Sequence, residues 1–111
     1  MVDVRLPWAP EAVDQARAAL VEVRGLRAAV EDRLGLLVSE VVAEAVRNAG
    51  GERDGLTLRV AVEDRVRVEM SDTTGLLDPL AAAGGFGFRL LDQLADSWGA
   101  EPGLVWFELA R

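Results

Sequence analysis

The stretch that most constrains this chain runs from Leu34 to Ala49. Leu34, Leu37, Val38, Val41, Ala45 and Ala49 recur at intervals of three and four. That spacing predicts one amphipathic helix from about Arg27 to Ala49 with a broad apolar stripe. Gly50-Gly51 is its expected stop, because glycine accepts the left-handed backbone that helix ends often adopt. A helix with this stripe has to bury it, so the other elements must supply an apolar surface to cover it.

The edge of the stripe carries charge. Glu40 and Glu44 are one turn apart, with Arg47 at the next turn and Arg33 on the same side. Like charges at that spacing cost an isolated helix a few tenths of a kcal/mol. Two readings stand side by side. One is a solvated face with a Glu44–Arg47 pair; the other is a pair of carboxylates kept for chemistry.

The rest of the chain gives a simple order. Val2, Val4 and Leu6 alternate with Asp3 and Arg5, which predicts a short half-buried strand over 2–6, ended by Pro7. Residues 10–23 read as a helix with Val13, Ala16, Leu20 and Val23 on one face, broken at Gly25. Beyond the turn-rich stretch 50–55 the period drops to two. Leu58, Val60 and Val62, then Val66, Val68 and Met70, predict a β-hairpin turning at Glu63-Asp64-Arg65. A third helix is expected to open at Gly84-Gly85-Phe86-Gly87, with Phe88, Leu91, Leu94, Ala95 and Trp98 inward and Gly99 as its stop. Leu104–Leu109 closes the order as a last strand. The expectation is one α/β (α+β) domain over 1–111, a two-layer sandwich with three helices on one face of a mainly antiparallel mixed sheet.

Composition removes several chemistries. The sequence holds no cysteine and no histidine, and all 12 basic residues are arginine. Disulfides, thiolate and Ser-His-Asp catalysis, most zinc sites and the lysine-dependent P-loop are therefore closed. A net charge of −7 with scattered arginines argues against a nucleic-acid partner. No apolar run reaches the roughly 20 residues of a membrane helix, and the first residues lack the layout of a signal peptide. A cytoplasmic protein is expected.

Three sets of residues have functional as well as ordinary readings. Glu40 and Glu44 form the first. Asp72 follows a buried strand, where a carboxylate can hold a ligand at the sheet's end or simply shape a turn. The glycines before the third helix can admit an anion to free N–H groups or simply start the helix.

Taken in order, these features resemble one family. The residues that carry the likeness are Leu37-Val38-Ser39-Glu40-Val41-Val42-Ala43-Glu44-Ala45-Val46-Arg47, then Val66–Asp72, then Gly84–Gly99, with Val105–Leu109 at the end. Over almost its whole length the chain resembles the histidine-kinase-like ATPase superfamily, and within it the small anti-sigma-factor serine kinases. The resemblance implies a Bergerat-type ATP-binding fold with ATP and Mg²⁺ as cofactors. It makes Glu40 the general base and Glu44 the metal position. Asp72 would hold the adenine amino group, with Gly75, Gly85, Gly87 and Phe88 around the nucleotide. It implies transfer of the γ-phosphate to a serine of an antagonist protein, a sigma factor or antagonist as partner, and a possible homodimer. Trp8, Trp106 and Leu76-Leu77 are the candidate contact residues.

The sequence also departs from that family. Glu44 stands where the family has its magnesium-binding asparagine. Thr74 and Leu76 stand where glycines are usual. The connection Thr73–Gly84 is short and rich in Leu and Ala, and Phe86 is a bulky aromatic where a polar or basic residue is common. These departures all touch the nucleotide site. They imply the alternative of a non-catalytic member of the same fold, acting as a protein-binding or dimerisation module.

Overall fold

A computed structural model describes residues 1–49, 55–72 and 86–111. Its elements are β1 (Val2–Leu6), α1 (Glu11–Leu20), α2 (Ala28–Ala49), β2 (Leu56–Val62), β3 (Arg65–Ser71), α3 (Phe86–Leu94), β4 (Ser97–Glu101) and β5 (Leu104–Ala110). The five strands form one sheet in the order β1-β2-β3-β5-β4, and every described pairing is antiparallel.

The two-layer α+β arrangement agrees with the periodicities. Val60, Val68 and Phe107 lie side by side in register across β2, β3 and β5, and Leu58, Met70 and Val105 form the next row. All six are buried. The stripe of α2 covers them: Val38, Val41 and Val42 meet Leu58, Val68, Met70, Val105 and Phe107 around an interior void of only about 10 Å³. Ala12 and Ala16 of α1 and Leu90 and Leu91 of α3 join the same core. Burying these side chains at about 25 cal/mol per Å² of apolar surface is the main force holding the two layers together.

A buried hydroxyl ties α1 to α2. Ser39, 5% exposed, accepts a hydrogen bond from Arg17 Nε (2.8 Å) and donates to the Gly35 carbonyl (2.7 Å). Between these helices the chain turns at Gly25, whose φ of +82° favours glycine.

Two expectations need correction. The third helix does not continue to Trp98; it ends at Leu94, and Ser97–Glu101 is a strand. Trp98 has the spacing of a helical core residue, which is why periodicity alone extends the helix. Pairing with β5 overrides it. Asp96 donates its N–H to the Glu108 carbonyl and accepts the Ala110 N–H on its carboxylate. Trp98 then stands opposite Phe107 and still reaches back to α3 by donating its indole N–H to Asp92 (2.8 Å). Gly99 is therefore no helix stop. It lies opposite Trp106, and a Cβ on it would come within 2.5 Å of the indole Nε1.

The extra strand also removes the mixed sheet. With β4 inserted before it, β5 returns antiparallel to β3, and β4, which shares the direction of β3, sits beyond β5 at the sheet edge. Smaller differences are at helix ends: α1 stops at Leu20, three residues before Val23.

On the face of the sheet away from the helices, Arg67 lies 4.5 Å above the ring of Trp106 and bonds Glu69 and Glu108 (both 3.2 Å). Trp106, a candidate contact residue, is thus packed between Gly99 and Arg67. Trp8 packs against the core, and Leu76-Leu77 lie outside the described residues.

Candidate functional site

Glu40 and Glu44 are both on α2, one turn or about 6 Å of rise apart. Their surroundings differ. Glu40 is half-buried, and its side chain makes no hydrogen bond or ion pair among the described residues. Glu44 is only 5% exposed, because it flanks the stripe formed by Val41, Val42 and Ala45. It forms an ion pair through Oε1 with Arg47 Nη2, one turn on and largely exposed. The pair expected from the spacing is therefore present. Much of the cost of holding a carboxylate away from water is offset by that guanidinium.

Asp72 follows β3 directly and is 6% exposed. Its backbone N–H donates to the carbonyl of Gly103 (3.0 Å), in the turn between β4 and β5. Gly103 takes φ +84°, a conformation open to glycine at little cost. The β4–β5 turn thus fixes the point where the chain leaves the sheet.

The topology brings these acids to one end of the sandwich. Helix α2 ends at Ala49 and β2 begins at Leu56; its next residue, Thr57, pairs with Ser71, the neighbour of Asp72. Above that end, Val41 and Val42 of α2 pack on Leu58 and Met70. Met70 is two residues before Asp72, and Val41 and Val42 lie between Glu40 and Glu44 in sequence.

The glycine-rich features are only partly described. Gly87 and Phe88 are in the first turn of α3. Gly50-Gly51, Gly75, Gly85, and the connection Thr73–Gly84 lie outside the described residues.

Magnesium takes oxygen ligands, usually one or two carboxylates besides water and phosphate. In this arrangement Glu44 Oε1 faces a guanidinium. Among the described residues no group of three or more His, Cys, Asp or Glu side chains is placed to hold a metal ion. Glu44 Oε1 is engaged by Arg47, and no step is derived through the metal.

Two features of this region are not visible as function in the sequence. Ser39 precedes Glu40 and anchors this stretch of α2 to α1; its signal is a lone hydroxyl within an apolar helix face. Gly103 holds Asp72; its signal is the Pro102-Gly103 turn dipeptide. Compared with known proteins, the chain matches no family model, and no curated protein matches it.

Proposed function

We propose that this chain is a regulatory domain of the histidine-kinase-like ATPase kind, similar to anti-sigma factors, that binds ATP and acts on a protein partner. The observation that carries the reading is Asp72, a carboxylate 6% exposed and pinned through its backbone at the end of β3. It lies at the same end of the sandwich as the turns of α2 that bear Glu40 and Glu44. A buried carboxylate held in place is suited to accept a hydrogen bond from the exocyclic amino group of adenine.

In this reading the bound nucleotide sets the conformation that meets the partner, and efficient phosphoryl transfer is not required. A second reading is favoured by Glu40, whose carboxylate has no partner among the described residues. Glu40 would take the proton of a partner's serine hydroxyl. The serine oxygen would bond to the γ-phosphorus as the bond to ADP breaks.

The test is a thermal melt with and without ATP, each with and without Mg²⁺, on the native chain and on Asp72→Asn. A ligand at a hundred times its dissociation constant stabilises by about 2.7 kcal/mol, which raises the melting temperature of a domain this size by roughly 10 °C or more. A rise lost in Asp72→Asn supports the reading. No rise under any of these conditions overturns it. Phosphate transfer to a partner, abolished in Glu40→Gln while the ATP-induced rise persists, would select the second reading.

A further inference from the structure

A groove of about 410 Å³ lies between the end of α1, the linking segment and the first half of α2. Val21, Val23, Leu26 and Leu36 line it, with Glu31 and Asp32 on the α2 side. The described large hydrophobic residues that stand exposed are Met1, Val21 (73%) and Leu36 (43%), so two of these three belong to this groove. Such residues scattered singly are ordinary; gathered along one concave surface they mark a contact site.

Gly35 lines the same groove and is an independent observation. It sits inside α2, where glycine is a poor helix former compared with alanine. Nothing among the described residues requires it: a Cβ at this position meets none of their atoms within 4 Å. Its φ is not in the left-handed region either. A glycine that no internal neighbour explains, facing an open groove, leaves room for something outside the chain to approach the helix backbone closely.

Charge decides what that is. Glu31 and Asp32 make no hydrogen bond or ion pair through their side chains among the described residues. Arg17, the cation at the groove, is held to Ser39 through its Nε. The groove is therefore apolar with an acidic edge, two carboxylates against the one lining cation Arg17, in a chain of net charge −7.

We propose that this groove docks an amphipathic helix of a partner protein, apolar on the face toward Gly35 and Leu36 and carrying Arg or Lys toward Glu31 and Asp32. An apolar helix face laid in a groove, with charge fixing its orientation, is a common mode of peptide recognition. The proposal rests on the reading above only in taking a protein as partner. It needs no nucleotide, because Glu31 is about 20 Å along α2 from Glu44.

The experiment selects a phage-displayed library of random 16-residue peptides on the immobilised full chain, without nucleotide. Enriched peptides are then synthesised and their affinities measured by fluorescence anisotropy. The expected peptides are net positive, with apolar residues three and four apart. Their binding falls about tenfold or more in Gly35→Leu and in Leu36→Asp. In Glu31→Gln with Asp32→Asn it weakens and loses most of its salt dependence. Gly35→Ala raises the melting temperature of the free chain while weakening the peptides, an outcome a purely structural glycine would not give.

Circular dichroism of each variant confirms that it is folded. Enrichment of no peptide, enrichment of acidic ones, or unchanged binding to folded Gly35→Leu overturns the proposal. Sedimentation provides the remaining arm: a native dimer that becomes monomeric in Gly35→Leu would assign the groove to a second copy of this chain and overturn it too. An ATP melt with no rise leaves these outcomes unaffected, so the two readings fail separately.

Discussion

Asp72 is held by Gly103: its backbone N–H meets the Gly103 carbonyl at 3.0 Å, and Gly103 offers that carbonyl from a left-handed turn with φ +84°. The link joins the exit of β3 to the β4–β5 turn, so the last hairpin sets the position of Asp72, the acid proposed to hold the nucleotide. An L-residue in this conformation costs about 1–2 kcal/mol. Gly103→Ala is expected to lose about that much stability in urea unfolding. If ATP raises the melting temperature of the native chain, the rise should be smaller in Gly103→Ala, because Asp72 is no longer fixed.

The Glu44–Arg47 pair gives a double-mutant cycle. Arg47→Ala leaves a buried carboxylate without its guanidinium and is expected to cost about 1–3 kcal/mol. Glu44→Gln removes the charge, so adding Arg47→Ala to it should cost well under 1 kcal/mol more. Urea unfolding of the four proteins measures the coupling. Equal costs of Arg47→Ala in both backgrounds would show that the pair contributes nothing to folding.

The clasp between α1 and α2 is testable through Ser39. Ser39→Ala removes a buried hydroxyl that serves both Arg17 and the Gly35 carbonyl, and is expected to cost about 1 kcal/mol. Arg17→Ala should cost less, because the lost donor is an exposed side chain and the Ser39 hydroxyl still donates to the Gly35 carbonyl. Amide hydrogen exchange should show faster opening of α1 in both variants, with the centre of the sheet unchanged.

Gly99 and Trp106 make a tighter prediction. A methyl group at Gly99 would meet the indole at 2.5 Å, so Gly99→Ala must displace a ring that also carries Arg67. The expected loss is about 1–3 kcal/mol, with a change in tryptophan fluorescence.

Arg67 sets the pH dependence of that patch. Burial alone would lower its pKa, but hydrogen bonds and charge attraction from Glu69 and Glu108 outweigh burial and raise it. A raised pKa on a cation contributes stability that is complete below the unfolded-state value and lost only as pH climbs through the folded-state value. Arginine's ordinary range is already strongly alkaline. The cost of Arg67→Ala is therefore expected to be the same at pH 7 and pH 10. Its size should be about 1 kcal/mol or less, since the guanidinium is partly in water. A cost that shrinks between those pH values would contradict the assignment.

Much of the architecture is legible residue by residue. The stripe from Leu34 to Ala45 is buried as its spacing requires, and the alternation in β2, β3 and β5 places Leu58, Val68 and Phe107 inward. These are local signals, because a helix or strand repeats its facing every few residues whatever surrounds it. The ion pair of Glu44 with Arg47 belongs to the same class, since positions one helical turn apart must meet.

The sequence by itself therefore determined where chain segments bury an apolar face, which chemistries lack their residues, and that acids stand beside the core. Tertiary structure alone decided the rest. Trp98 satisfies a helical period, yet it lies in a strand because Asp96 and the β5 backbone offer hydrogen bonds that an extended helix would forgo. Glu40 and Glu44 share a helix face in sequence, yet packing leaves one half-exposed and draws the other out of water. Gly103, distant in sequence from Asp72, became its anchor only when β5 paired with β3. Local periodicity cannot encode such contacts, because they depend on which distant backbone groups the folded chain brings within hydrogen-bonding reach.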